Sequence, residues 1–248
     1  MTPDIPFRRA AVEPIECIKG GVELIKNQYW LFVGMTLVGI FLIGSAVPII
    51  LLGPMMCGLN LAFFKARRGE PVEFGTLFKG FDYFAQSLIA TLLHMVPILL
   101  IVVPAYLLFY VFVFLSMAAA GSSGDPNPAA FFGVMAMFGI FWLVVLVVIV
   151  IISIGFTFAY PLIVDRGLQG FDAVKLSFRA ALANFWRLLG MMLITSLLSI
   201  AGVLACYVGM FLVMPIAYAA IAKAYEQVFG LADGTQFSNL PPPPPVFN

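Results

Sequence analysis

Charge is what this sequence has least of: only 10% of its 248 residues are ionised, while 62% are hydrophobic. A soluble domain carries about 25% charged and roughly 45–50% apolar residues, so a soluble fold of this size is excluded. The thirteen Lys/Arg nearly cancel the twelve Asp/Glu, leaving a formal charge of +1. No basic field of the kind that holds nucleic acid is present, and no nucleic-acid partner is expected. There are three cysteines, Cys17, Cys57 and Cys206, and one histidine. An odd number of cysteines without CxxC or Cys/His spacing gives neither a disulfide framework nor a zinc site, so no metal and no cofactor is expected. A P-loop, HExxH or GxSxG motif is also missing. The first 28 residues lack the apolar core of a signal peptide. Arg8-Arg9 has the pair of a twin-arginine signal, but Glu13, Glu16, Lys19, Glu23 and Lys26 follow it.

What remains is long apolar runs. Mean hydropathy is +1.07, and charge-free stretches cover 29–64, 83–124, 126–164 and 188–222. Each exceeds the ~20 residues that span a bilayer as a helix, which makes this an all-α, polytopic membrane helical bundle. The basic residues fall in four groups: Arg8, Arg9, Lys19, Lys26; Lys65, Arg67, Arg68, Lys79; Arg166, Lys175, Arg179, Arg187; and Lys223. If all four are cytoplasmic, each intervening stretch crosses an even number of times, and six transmembrane helices with both termini cytoplasmic satisfy the rule.

Residues 29–64 then form a hairpin turning near Gly44–Pro48, at about 27 Å per crossing against a core of ~30 Å. One long tilted helix is the alternative. The next crossings run from about Phe84 to Met117 and from about Ala130 to Val164, around a turn, Gly121–Pro128, that has an acid and no base. The last pair runs from about Leu188 to Cys206 and Gly209 to Ala224. The domain plan is a cytoplasmic N-terminus (1–28), a transmembrane domain (29–228) and a cytoplasmic proline-rich tail (229–248).

Three basic groups also carry apolar residues at helical spacing: Ile15, Ile18, Val22, Ile25; Phe74, Leu77, Phe78, Phe81, Phe84; and Phe171, Val174, Phe178, Ala181, Leu182, Phe185. These predict amphipathic helices, lying among lipid headgroups or packed on the cytoplasmic end of the bundle. Shifting the sequence by 156 overlays Ile18–Gly53 on Val174–Gly209, pairing Lys19/Lys175, Trp30/Trp186, Gly34/Gly190, Met35/Met191 and Gly53/Gly209. Gly80-Phe81-Asp82 and Gly170-Phe171-Asp172 match as well. A threefold repeat of interfacial helix plus hairpin follows, parallel and not inverted.

Pro161–Arg166 with Ala173, Ser177 and Phe185-Trp186, Leu77–Phe81, Gly53-Pro54 and Ala66–Gly69 carry a resemblance. Over residues 15–228 the chain resembles a broad family of uncharacterised bacterial inner-membrane proteins. That family is similar to the membrane domain attached to some glycerophosphoryl diester phosphodiesterases. The resemblance implies a bacterial inner-membrane location; the family has no settled biochemical function to carry over, and the phosphodiesterase domain is not in this sequence.

No Asp, Glu, Lys or Arg falls inside the apolar stretches, although such residues mark most intramembrane pathways. His94 and Asn60 are the candidate polar path, against the plainer reading of each as interhelical packing. Gln86 and Asn184 sit near crossing ends, and Ser153, Ser196 and Ser199 lack an activating base. Trp30 and Trp186 are expected as interface anchors, and Phe109–Phe114 as lipid-facing surface or a lipophilic groove. Pro241, Pro242, Pro243, Pro244 and Pro245 make a polyproline II docking tail or a solvated end. The expected role is a non-enzymatic scaffold or accessory factor contacting membrane lipids, a cytoplasmic protein through the tail, or further copies of itself. The alternative is a carrier or channel for a neutral or lipophilic substrate, using the breaks at Pro48, Pro54, Pro97, Pro104 and Pro215.

Overall fold

The computed structural model describes residues 5–44, 48–122, 128–206 and 209–232. The proline run lies outside them. The described residues contain helices and no strand. In order they are α1 (Pro14–Ile25), a 3-10 turn (Lys26–Gln28), α2 (Tyr29–Ile43), α3 (Pro48–Arg67), a 3-10 helix (Phe74–Tyr83) and α4 (Phe84–Ser122). Then come α5 (Pro128–Phe156), α6 (Ala159–Arg166), α7 (Gly170–Ala183), α8 (Phe185–Cys206) and α9 (Gly209–Phe229). Five stretches among the described residues are long and apolar enough to cross a membrane: Pro14–Ile43, Ile49–Arg67, Phe74–Met117, Met135–Arg166 and Phe185–Leu204. This is the composition of an integral membrane protein. α9 is not among the five; it carries Lys223 and Glu226 and buries the small residues Ala219, Ala220, Ala222 and Ala224.

Residues 29–64 form two helices and not one. Phe32, in the first turn of α2, stacks on Phe63 near the end of α3 with centroids 5.0 Å apart and planes 4° apart, so the two run antiparallel. The shift of 156 holds at the element boundaries. α1 and α7 follow extended residues Glu13 and Gln169, and α2 and α8 begin at Tyr29 and Phe185. The joints before them, Gln28 (φ −129°, ψ 31°) and Asn184 (φ −119°, ψ 17°), share one conformation.

The chain divides into two compact units, one of residues 1–93 with 154–248 and one of residues 94–153. The first is held by backbone-to-backbone approaches that only glycine permits. A β-carbon on Gly58 would meet the Leu77 carbonyl, one on Gly80 the Pro54 carbonyl, and one on Gly21 the backbone of Ala219 and Ala220. These contacts seat the 3-10 helix on α3 and α1 on α9. α7 likewise packs by a face of small and medium residues, Ala173, Ser177, Ala180 and Ala181, and leaves Phe171 and Leu182 exposed. The six residues expected on one apolar face are therefore divided between the core and the outside.

One break was not expected. The apolar run that ends near Val164 is cut between α5 and α6 at Thr157-Phe158. Ser177 repairs it: its buried hydroxyl donates to the Gly155 carbonyl at 2.6 Å and accepts from the Phe158 N–H at 3.1 Å. Ser177→Ala leaves both groups buried without that partner and is expected to cost about 2 kcal/mol. Thermal unfolding in detergent checks this, with Ser199→Ala, whose hydroxyl bonds only back to Thr195 O within α8, as the mild control.

In the second unit α4 and α5 run antiparallel through Tyr106–Trp142 (4.7 Å, edge-on) and Phe109–Phe138 (4.4 Å). Ala105 and Val145 are buried, while Leu100, Leu107, Leu108, Phe114 and Phe132 are mostly exposed. An all-apolar groove of about 350 Å³ lies along Leu108, Phe109, Phe112, Met137, Phe138 and Phe141.

Candidate functional site

The polar residues of the first unit converge where α3, α6 and α9 end. Asp165, the penultimate residue of α6, has a fully buried side chain. Its Oδ2 accepts the Tyr225 hydroxyl at 2.8 Å and faces Arg166 Nε at 3.2 Å. Its Oδ1 faces Arg68 Nη2 at 3.6 Å and accepts the Ala232 N–H at 3.3 Å. Two of these contacts are hydrogen bonds, from Tyr225 and Ala232, and the two guanidinium groups supply charge at ion-pair distance. Arg166 in turn donates from Nη2 to the carbonyls of Phe229 and Gly230, covering the C-terminus of α9. The left-handed Gly167 (φ 62°) that ends α6 turns the chain there. Beneath these groups lie packed rings: Tyr225 tilted on Phe64 (5.4 Å) and Phe229 (5.2 Å), and Phe158 edge-on to Phe229 (5.7 Å). Burial first, and then the charge of Asp165, pushes the Tyr225 phenol well above its ordinary value, so at neutral pH it is a hydrogen-bond donor.

A second knot joins α3 to α9. Arg67 grips Glu226 through Nε and Nη2 at 2.8–3.0 Å, and Lys223 Nζ adds 2.8 Å. Burial pushes the Glu226 carboxyl up, but the bonds from Arg67 and Lys223 outweigh it and hold the group below the ordinary 4.5. A carboxyl with a lowered folded value contributes stability in full above that ordinary value and loses it as pH falls through the folded one. Glu226→Gln should therefore destabilise the protein at neutral pH, and the gap between parent and variant should close as pH drops below 4.5. Unfolding midpoints across an acid series check this.

A third set of bonds straps the N-terminal segment to the end of the chain. Arg8 N–H donates to the Val228 carbonyl, Ala11 N–H to Asn184 Oδ1, and Glu13 N–H to Gln227 Oε1, each at 2.9 Å. Asn184 Nδ2 returns bonds to the carbonyls of Arg8 and Ala180, so Asn184 is a buried joint and not part of a polar path. Gln86 has a similar duty: its Oε1 accepts the Gly170 N–H at the start of α7.

The residues read from the sequence fall on different elements. Trp30 and Trp186 are 75% and 79% exposed, one residue into α2 and α8. Asn60 is buried and donates to the Met56 carbonyl one turn back in its own helix. His94 is half-buried and belongs to the second unit, whereas Asn60 belongs to the first. Cys17 and Cys57 are buried free thiols. Among the described residues no group of three His, Cys, Asp or Glu could hold a metal. The sequence reading missed Asp165 as the hub; its one signal was the acid–base–glycine triplet Asp165-Arg166-Gly167 at the end of an apolar run. No family model, curated protein or solved structure matches the chain.

Proposed function

We propose that the chain is a non-enzymatic scaffold or accessory factor of a bacterial inner membrane, with six crossings, both termini cytoplasmic and amphipathic elements at the cytoplasmic rim. The observation that supports it is the enclosure of Asp165. A catalytic acid or a proton relay must reach its substrate, whereas this carboxylate has a fully buried side chain, accepts the Tyr225 hydroxyl and the Ala232 N–H, and is flanked by the guanidinium groups of Arg68 and Arg166. The likeness of residues 15–228 to the membrane domain of certain phosphodiesterases agrees with a part that serves a catalytic partner. The proline tail, Pro241–Pro245, is the docking segment. Native mass spectrometry after gentle extraction, with and without residues 240–248, tests the reading. A stoichiometric protein partner lost with the tail supports it, and a monomer or homo-oligomer that carries only a defined lipid or small molecule overturns it.

The groove of the second unit favours one other role, carriage of a lipophilic ligand. A defined lipid or small molecule retained in the same spectra, and released by Phe138→Ala, would move the assignment there. Flux in liposomes unchanged by Asn60→Ala and His94→Leu would remove those residues as its path.

A further inference from the structure

The segment Phe74–Tyr83 is a 3-10 helix of ten residues, where runs beyond three or four are uncommon. Three residues complete each turn, so side chains at i and i+3 eclipse. One column is Phe74, Leu77, Gly80 and Tyr83, with Leu77 and Gly80 buried against α3, Phe74 exposed and Tyr83 half-buried. The next is Gly75, Phe78 and Phe81, continued by Phe84 at the first residue of α4. Gly75 has open space around it, and the rings are 44%, 40% and 37% exposed. Phe81 and Phe84 stack with centroids 6.4 Å apart. The third column is Thr76, buried, with Lys79 and Asp82, exposed.

The 3-10 winding aligns Phe78 and Phe81 in one column that Phe84 continues, which makes a ridge. The helix runs without interruption into α4, and together Phe74–Met117 make an apolar stretch of 44 residues, roughly twice what a bilayer crossing needs. The 3-10 segment is the part whose one side is already committed to protein. At the starts of two other long helices, Trp30 and Trp186 are exposed just inside α2 and α8, as in an interfacial aromatic belt.

We infer that the Phe78–Phe81–Phe84 ridge is a lipid-binding wedge: the 3-10 helix lies in the plane of the membrane interface and inserts these rings among the upper acyl segments of a phospholipid leaflet, with Lys79 at headgroup level. Bulky apolar side chains on one side and small or sparsely charged residues elsewhere suit such insertion, since affinity grows with apolar area buried at the headgroup–acyl boundary. The inference needs only a membrane-embedded chain and goes beyond the scaffold reading.

The test is depth-dependent quenching in vesicles of phosphatidylethanolamine and phosphatidylglycerol. F81W is placed in a chain whose Trp30, Trp142 and Trp186 are Phe, and lipids brominated near the top or near the end of the acyl chain are compared. Shallow bromines should quench the indole about twofold or more over deep ones, and aqueous acrylamide should reach it about twofold less than the indole of K79W. Quenching by acrylamide without bromolipid would place the ridge in water and overturn the wedge. Protection from both quenchers would mean that protein, a second copy or a partner, covers it, and would overturn it equally. If the Trp-free chain does not fold, F81C in the otherwise native chain, labelled with an environment-sensitive maleimide and corrected for the parent's labelling, gives the same three outcomes.

Discussion

Replacing Asp165 with alanine is expected to cost about 3 kcal/mol of stability, because removing one member of a buried ion pair strands the other. The groups that lose this partner are Arg68, which keeps Glu70, and Arg166, which keeps the Phe229 and Gly230 carbonyls, together with the Tyr225 hydroxyl and the Ala232 N–H. Side-chain exposures of 29% for Arg68 and 24% for Arg166 return part of their hydration, which sets the loss at the low end of the ~3–5 kcal/mol seen for fully buried pairs. On the scale of about 2–4 °C per kcal/mol for a chain this long, the midpoint should fall by about 6–12 °C. Asp165→Asn keeps the volume and an acceptor oxygen and should fall between parent and alanine variant. A melt of the alanine variant within about 2 °C of the parent would show that the cluster is held by the rings beneath it.

Gly58→Leu should be worse. The α3 backbone at Gly58 touches the Leu77 carbonyl, and the reciprocal contact sets Gly80 against Pro54 and Gly58. Inserting a side chain in a close-packed site costs about 1–3 kcal/mol when neighbours can move, and here the neighbour is backbone. The 3-10 helix must lift off α3, exposing Leu77 and Thr76. The expected result is little or no monodisperse protein after extraction. Gly75→Ala, in the same 3-10 helix with open space around it, should change stability by no more than about 0.5 kcal/mol. Equal recovery of the two variants would refute the tight seat.

The elements were legible where hydropathy and charge change sharply. The starts of α2 and α4 sit at Tyr29 and Phe84, where a charged group meets an apolar run; α8 starts at Phe185, three residues before the expected Leu188 and ahead of Arg187, and the shift of 156 between α2 and α8 is a property of the letters alone. Two things were not legible. A spacing of 4, 3 and 3 between Phe74, Phe78, Phe81 and Phe84 fits a 3.6-residue period about as well as a 3.0-residue one, and the closeness of α3 decides for the tighter winding. The hub at Asp165 gathers Arg68, Tyr225 and Ala232, which are tens of residues away along the chain. No periodicity reports such a meeting. The α5–α6 break was hidden because its remedy, Ser177, lies 19 residues past Phe158. For the second unit the composition of Phe109–Phe114 announced apolar surface, and only the pairing with Phe138 and Phe141 across the hairpin made it a groove.

The strap that joins residues 8–13 to Asn184, Gln227 and Val228 also sets a timetable. A ribosome adding about 5–20 residues per second takes roughly 10–45 s to reach the last of these positions after passing the first. Asn184 is made some forty residues before Gln227 and Val228, so Ala11 can find its acceptor while Arg8 and Glu13 still wait for theirs. The docking of residues 8–13 is thus among the last steps in completing the first unit. A chain stalled before Gln227 would hold this segment through Asn184 and not through Gln227 or Val228.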